Sequence, residues 1–342
     1  MIALKTIDAH VGGEPLRLIV EGFPAPRGKS LADKRDWAKR HADHLRRLLM
    51  LEPRGHRDMS GAVLTEPASP GSHAGVLFMN SDGFSFMCGH AVIAVATIAL
   101  ERGIIVPGGD GASLALDTPA GTVRATATWR DGQEGQEGQE GQDRKVVRVA
   151  FLNVPSFVMH GGLEVALGSR RVRADVAFGG EFYAIVDGES VGVPLDPPHV
   201  PELRRFGIEI TQAIDRALTI AHPLEPRLTG IYGTIFTGPP QGGSADLRNV
   251  TVFANGAIDR SASGTGTAAV MTVIDAMGLV DDQRPFVQES IIGTTLSGRV
   301  AGRTMVGEFP AIVPEIQGSA WITGEHTFIV DEDDPLQQGF YL

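Results

Sequence analysis

The fold turns on MCGHAVIAVATIAL, residues 87–100. After Met87-Cys88-Gly89-His90 the run 91–100 carries no charge. An alanine-rich apolar stretch of this length reads as a helix buried on every face rather than as a strand, and Gly103 and Pro107 close it. A thiol at the start of such a helix faces free backbone N–H groups and the positive end of the helix dipole. Both favour the thiolate, so Cys88 is expected to have a lowered pKa and to serve as base or nucleophile. The plainer alternative is a buried, inert cysteine. Cys88 is the only cysteine of the chain, which excludes an intrachain disulfide and fits a reducing compartment.

A second helix opening stands at Ser263-Gly264-Thr265-Gly266-Thr267, and a helix is expected over 268–277, stopped by Gly278. Taken alone it is an ordinary capped loop, since Ser and Thr cap helices and glycine turns the chain. Taken with the first opening it suggests an internal duplication. Two α+β halves would bring both helix N-termini to one cleft, where unpaired N–H groups hold a carboxylate between Cys88 and Ser263.

Around these openings, strands are expected over 3–9 and 16–20, separated by the turn His10-Val11-Gly12-Gly13-Glu14-Pro15, and over 61–67 and 75–80 ahead of the turn Ser81-Asp82-Gly83. A further set falls at 146–152, 172–178, 182–186 and 231–236. Apolar residues at helical spacing predict one helix over 31–51. The polar tract 131–142, built from Gly, Gln and Glu, is expected to be a mobile loop, because it has too little apolar surface to offset the cost of ordering.

The chain has 342 residues, 42% of them hydrophobic, which suits one large or two medium domains. Forty-one acidic against thirty basic residues give a net charge of −11, which disfavours nucleic acid or an anionic membrane as a partner. No segment approaches the roughly 20 apolar residues that cross a bilayer, and the first residues are unlike a signal peptide, so a cytoplasmic location is expected. The ten histidines are scattered. His41 and His44 lack the HExxH pattern or a nearby cysteine, and no metal site is expected. The glycines after Ser263 lack the lysine of a phosphate-binding loop and the context of a dinucleotide fold, so no cofactor is expected either.

Several unusual motifs follow one another in order: His10-Val11-Gly12-Gly13-Glu14-Pro15, Asn80, Met87-Cys88-Gly89-His90, Gly179-Gly180-Glu181-Phe182-Tyr183, Asp246 with Arg248-Asn249, and 259–267. Through them the chain resembles the proline racemase family, in particular its hydroxyproline epimerases and 3-hydroxyproline dehydratases. The resemblance implies an α+β fold of two similar, pseudo-symmetric domains, each a sheet wrapped around a central helix, as in diaminopimelate epimerase. The first domain would span 1–130 plus about 300–342 and carry Cys88. The second would span 144–299 and carry Ser263, with 131–143 as the loop between them. The active site would lie at their interface without a cofactor, and a homodimer is a candidate assembly.

In the racemases and most epimerases, the positions matching Cys88 and Ser263 are both cysteines, one on each face of the substrate α-carbon. Here the second thiol is a serine, whose hydroxyl is far too weak an acid–base group to replace a thiolate. The dehydratases of trans-3-hydroxy-L-proline also keep the first cysteine and replace the second, there by threonine. In that substrate the α-hydrogen and the hydroxyl share a ring face, so one thiol can address both.

The reading is therefore a dehydratase. Cys88 removes the α-proton, the N–H groups around Gly89, His90, Gly264 and Thr265 hold the carboxylate, and loss of the hydroxyl gives Δ1-pyrroline-2-carboxylate. His90 would position the amine or the departing hydroxyl. The resemblance assigns Asp259 to the ring ammonium, and Phe253 would wall the ring. His10 and Glu14 are weaker candidates. The alternatives are a 4-hydroxyproline 2-epimerase and, in a different class, a noncatalytic amino-acid-binding protein that uses the same helix ends.

Overall fold

The computed structural model describes all residues except 1, 109–110, 131–144, 169, 282 and 342. The Gly/Gln/Glu tract expected to be mobile thus lies outside the described residues. The rest is α+β, with eighteen strands and six α-helices: α1 (Leu31–His41), α2 (Asp43–Met50), α3 (Gly89–Glu101), α4 (Gly188–Val191), α5 (Val200–Ala217) and α6 (Gly264–Ala276). None of these is long and apolar enough to cross a membrane.

The sheet is built from two series of pairings. In the first, Ile2–Val11 lies antiparallel to Glu14–Glu21, which runs parallel to Ser60–Thr65. That strand pairs antiparallel with Ala74–Asn80, which in turn is parallel to Ser113–Thr118 and continues antiparallel into Gly121–Trp129. In the second, Arg170–Phe178 is antiparallel to Phe182–Asp187, itself parallel to Gly233–Gly238. Leu247–Phe253 then pairs antiparallel with that strand and parallel with Phe286–Glu289, which continues antiparallel into Thr295–Val306. The two series meet where Phe309–Gly318 runs antiparallel to Val146–Leu152. The first strand closes on the last, with Ile2 opposite Val330.

Each series surrounds one apolar helix. Helix α3 packs against Ile2–Val11, Gly121–Trp129, Val146–Leu152 and Ala320–Val330. It is buried from Gly89 to Leu100, as its uncharged sequence requires. Helix α6 packs against Ser156–Leu167, Arg170–Phe178, Thr295–Val306 and Phe309–Gly318, and is buried from Gly264 to Val273. Side chains such as Val92, Ile93 and Ile98, fully enclosed, each contribute on the order of 1.5–3 kcal/mol.

Three expectations change. The helix expected over 31–51 is broken at Ala42 (φ −130°, ψ 11°), which leaves helical geometry and lets Asp43 open α2, where its carboxylate binds Arg46 at 2.6 Å. Helix α6 begins at Gly264, four residues before the expected start, because Ser263 caps it by accepting the Gly266 N–H at 3.2 Å. The turn after His10 shrinks to Gly12 and Gly13, both at positive φ, with strand on either side. Helix α5 lies across Gly233–Gly238 and Leu247–Phe253, burying Leu203, Gly207, Ile210 and Ile214.

Candidate active site

The N-termini of α3 and α6 meet. A Cβ placed on Gly89 would lie 2.6 Å from Gly264 Cα, and one on Gly264 would lie 2.8 Å from Gly89 Cα. Only glycine fits on either side, and the free N–H groups of both first turns converge with the positive ends of both dipoles. Ser263 holds φ +58°, a costly conformation for a residue with a side chain. It is fixed on several sides: the Ser263 N–H donates to Ser261 Oγ at 3.0 Å, Asn249 Nδ2 donates to the Ala262 carbonyl at 2.7 Å, and Thr267 Oγ1 donates to the same carbonyl at 3.0 Å.

A narrow cavity opens beside this junction, lined by Cys88, Gly89, His90, Phe253, Asp259, Ser263 and Thr265 among others. The structure thus brings together most of the expected site residues, and Gly264 completes the helix junction. Cys88 Sγ lies 3.4 Å from His90 Nδ1. Burial keeps His90 neutral by pulling its pKa down, against the opposing pull of Asp259 and a hydrogen bond to the Pro15 carbonyl. Asp259 accepts the N–H and hydroxyl of Ser261 at 2.8 and 2.7 Å, yet burial still raises its pKa. Phe253 stacks on Tyr232 with centroids 5.6 Å apart.

The expected depression of the Cys88 pKa is not found. Burial pushes the thiol up, and the nearby carboxylates Asp259, Glu14 and Glu181 add to the rise, while the Ala91 N–H opposes it. The helix-end effect is real but smaller than desolvation among like charges. His10 is also placed elsewhere: it stacks on Trp321 at 5.2 Å, in a separate groove on the outer surface. Glu14 is fully buried behind the site, where its carboxylate accepts the Arg260 N–H at 2.8 Å. Its pKa is raised by burial and by Asp259.

Sequence reasoning gave no role to Tyr183, Tyr232, Thr251 or Glu181. Tyr183 hydrogen-bonds Thr265 at 2.7 Å, and Tyr232 accepts from Asn80 Nδ2 at 3.0 Å. Glu181 accepts the backbone N–H groups of Phe86 (2.5 Å) and Met87 (3.3 Å), the residues leading into Cys88. Burial raises its pKa to about 7. The motif around 179–183 was the available signal. The pair Arg248–Asn249 serves structure: Arg248 forms a buried ion pair with Glu289 at 2.8 Å, and Asn249 secures the Ser263 loop. Among the described residues no three His, Cys, Asp or Glu side chains gather as a metal site.

Residues 6–341 match the sequence profile of the family described as proline racemase. The chain is 42% identical over 337 residues to a trans-3-hydroxy-L-proline dehydratase of Bacillus cereus, covering 98% of this chain and 97% of that protein. It is 40% identical over 341 residues to a 3-hydroxyproline 2-epimerase of Burkholderia multivorans, covering 99% and 98% respectively. The crystal structure of a hydroxyproline epimerase from Agrobacterium vitis, with bound trans-4-hydroxy-L-proline, superposes with a TM-score of 0.89 at 30% identity, covering 100% of this chain and 96% of that one. Because these matches run along nearly the whole chain, the protein belongs to the proline racemase family.

Proposed function

We propose that this enzyme dehydrates trans-3-hydroxy-L-proline. One observation carries the reading: of the two helix starts flanking the cavity, α3 offers a thiol, Cys88, and α6 a hydroxyl, Ser263, whose oxygen is occupied as a cap by the Gly266 N–H. A two-sided inversion needs an acid–base group on each face, whereas syn elimination needs one. The dehydratase relative from Bacillus cereus supports the same choice.

The substrate carboxylate lies against the N–H groups of Gly89, His90, Gly264 and Thr265, and the ring ammonium against Asp259. Phe253 walls the ring. The resting thiol is protonated, and His90, neutral and 3.4 Å from sulfur, takes that proton. Asp259 faces the imidazolium that results and favours it. The thiolate then removes the α-hydrogen. The C–H pair becomes the ring double bond as the C3–O bond breaks, and Cys88 returns the proton to the departing oxygen, giving water. The enamine tautomerises to Δ1-pyrroline-2-carboxylate.

We also infer a duplicated architecture of two pseudo-symmetric units. The two pairing series repeat the same order of parallel and antiparallel neighbours, each around one apolar helix. Drawn on pairing, the units are 2–152 with 320–330, and 156–318, and the site lies between them.

The hydroxyproline epimerase solved with bound trans-4-hydroxy-L-proline favours a second reading, 4-hydroxyproline epimerisation. Incubation of the purified protein with each substrate separates the two. Dehydration yields an imine that borohydride reduces to proline, whereas epimerisation returns a hydroxyproline inverted at Cα. Inversion of trans-4-hydroxy-L-proline with no imine from the 3-hydroxy compound would overturn the dehydratase.

A further inference from the structure

Strand period sends alternate residues of Leu247–Phe253 to opposite faces. Val252 faces α5, where a Cβ on Gly207 would lie 2.6 Å from Val252 Cβ. Thr251 and Phe253 face the cavity beside Cys88. Thr251 is 1% exposed, and its Oγ1 has no hydrogen-bond partner. Its position is fixed from both sides, by Ile235 on the neighbouring strand and by the Asp259 N–H, which donates to the Thr251 carbonyl at 3.0 Å.

Several other polar groups of the cavity are engaged: Tyr183 with Thr265, Asn80 with Tyr232, Asp259 with Ser261, and Ser263 with Gly266. A buried hydroxyl left unpaired is costly in a ligand-free protein and gains its bond when a polar ligand arrives. On the functional reading above, the substrate carries three polar groups. The helix N–H groups take the carboxylate and Asp259 takes the ammonium, so the ring hydroxyl remains.

We propose that Thr251 is the specificity residue for the ring hydroxyl: its Oγ1 hydrogen-bonds the substrate hydroxyl and selects hydroxylated over plain proline. A site with a buried group made to pair a hydroxyl discriminates strongly against the analogue that lacks it. Phe253, two residues on along the same face, holds the ring against this bond.

The test compares trans-3-hydroxy-L-proline as substrate with L-proline as competitive inhibitor, which has the same carboxylate and ammonium but no hydroxyl. In Thr251→Val, isosteric but apolar, the ratio of kcat/KM for the substrate to the association constant for L-proline falls about ten- to a hundredfold, the range of one lost buried hydrogen bond. Thr251→Ser restores the ratio to within about threefold, because it keeps the hydroxyl and loses a methyl. An unchanged ratio in Thr251→Val, or an equal loss in Thr251→Ser, would overturn the assignment. The parent enzyme is measured first: its failure to dehydrate would sink the functional reading and the proposal with it, whereas an active parent with an unchanged Thr251→Val ratio sinks the proposal alone.

Discussion

Gly89 and Gly264 touch backbone to backbone across the junction of α3 and α6, so that a methyl on either would sit within 2.8 Å of the other's Cα. Two helices that each need a free first turn are thereby held end to end. Gly89→Ala must push the ends apart. It should lower stability by about 1–3 kcal/mol, as overpacking does, and cut turnover by about a hundredfold through misplaced N–H groups. Chemical denaturation and steady-state kinetics check both, and near-parental turnover in a folded Gly89→Ala protein would contradict the shared cleft.

Cys88→Ser keeps the size of the group and removes its ready ionisation. Turnover should fall by at least about a thousandfold while substrate binding, followed by calorimetry, persists. A folded variant with near-normal turnover would reject Cys88 as the base.

Ser263→Ala loses a cap and should cost about 1 kcal/mol of stability, with turnover lowered by less than about tenfold. Solvent deuterium should still enter the α-position of L-proline wherever the parent supports that exchange. Its complete disappearance in Ser263→Ala would make residue 263 a proton-transfer group instead.

Ser263→Cys places a second thiol opposite the first and should create or raise inversion of trans-4-hydroxy-L-proline, read by chiral chromatography. Dehydration should weaken, because proton return at Cα then competes with elimination. A substrate-binding variant without inversion or opposite-face exchange would mean that residue 263 does not face the α-carbon.

Glu181 titrates at about 7 in the fold against an ordinary value of 4.5, because it is buried. Between these values the native state binds more protons than the unfolded chain, so this group's share of stability is undiminished below about pH 4.5 and is lost as pH rises through 7. Glu181→Gln removes that loss. The stability of the variant relative to the parent should therefore improve by about 3 kcal/mol from pH 4.5 to pH 8. Denaturant midpoints at the two pH values decide it, and a pH-independent difference would show that the carboxyl titrates normally.

The central helices were legible because an uncharged run such as 91–100 can only be buried, and most strands were legible from short apolar runs between turns. The first turn of α6 was not, since Gly264 and Gly266 are weak helix formers that tertiary packing and the Ser263 cap override. The break at Ala42 leaves no mark in an otherwise helical spacing. In the site, the residues at the two helix starts were singled out from their motifs, whereas Glu181 and Tyr183 were given no role although the motif 179–183 contains them. Tyr232 and Thr251 were missed because each is an isolated residue that only strand pairing across the sheet brings to the cavity. The Cys88 pKa went the other way because a local helix-end argument omits burial, the larger effect, and then Asp259, Glu14 and Glu181, which arrive from distant segments.

The pairing of Ile2–Val11 with Ala320–Val330 also orders events during synthesis. Ile2–Val11 has one edge answered soon after it is made, by Glu14–Glu21. Its other edge stays open until Ala320–Val330 has been translated. Helix α3, which packs on both of these strands, is therefore left partly uncovered in the nascent chain. Contacts this distant in sequence close slowly. A stalled or truncated chain lacking Ala320–Val330 would display a bare sheet edge beside an apolar helix, a natural substrate for chaperones and a seed for aggregation.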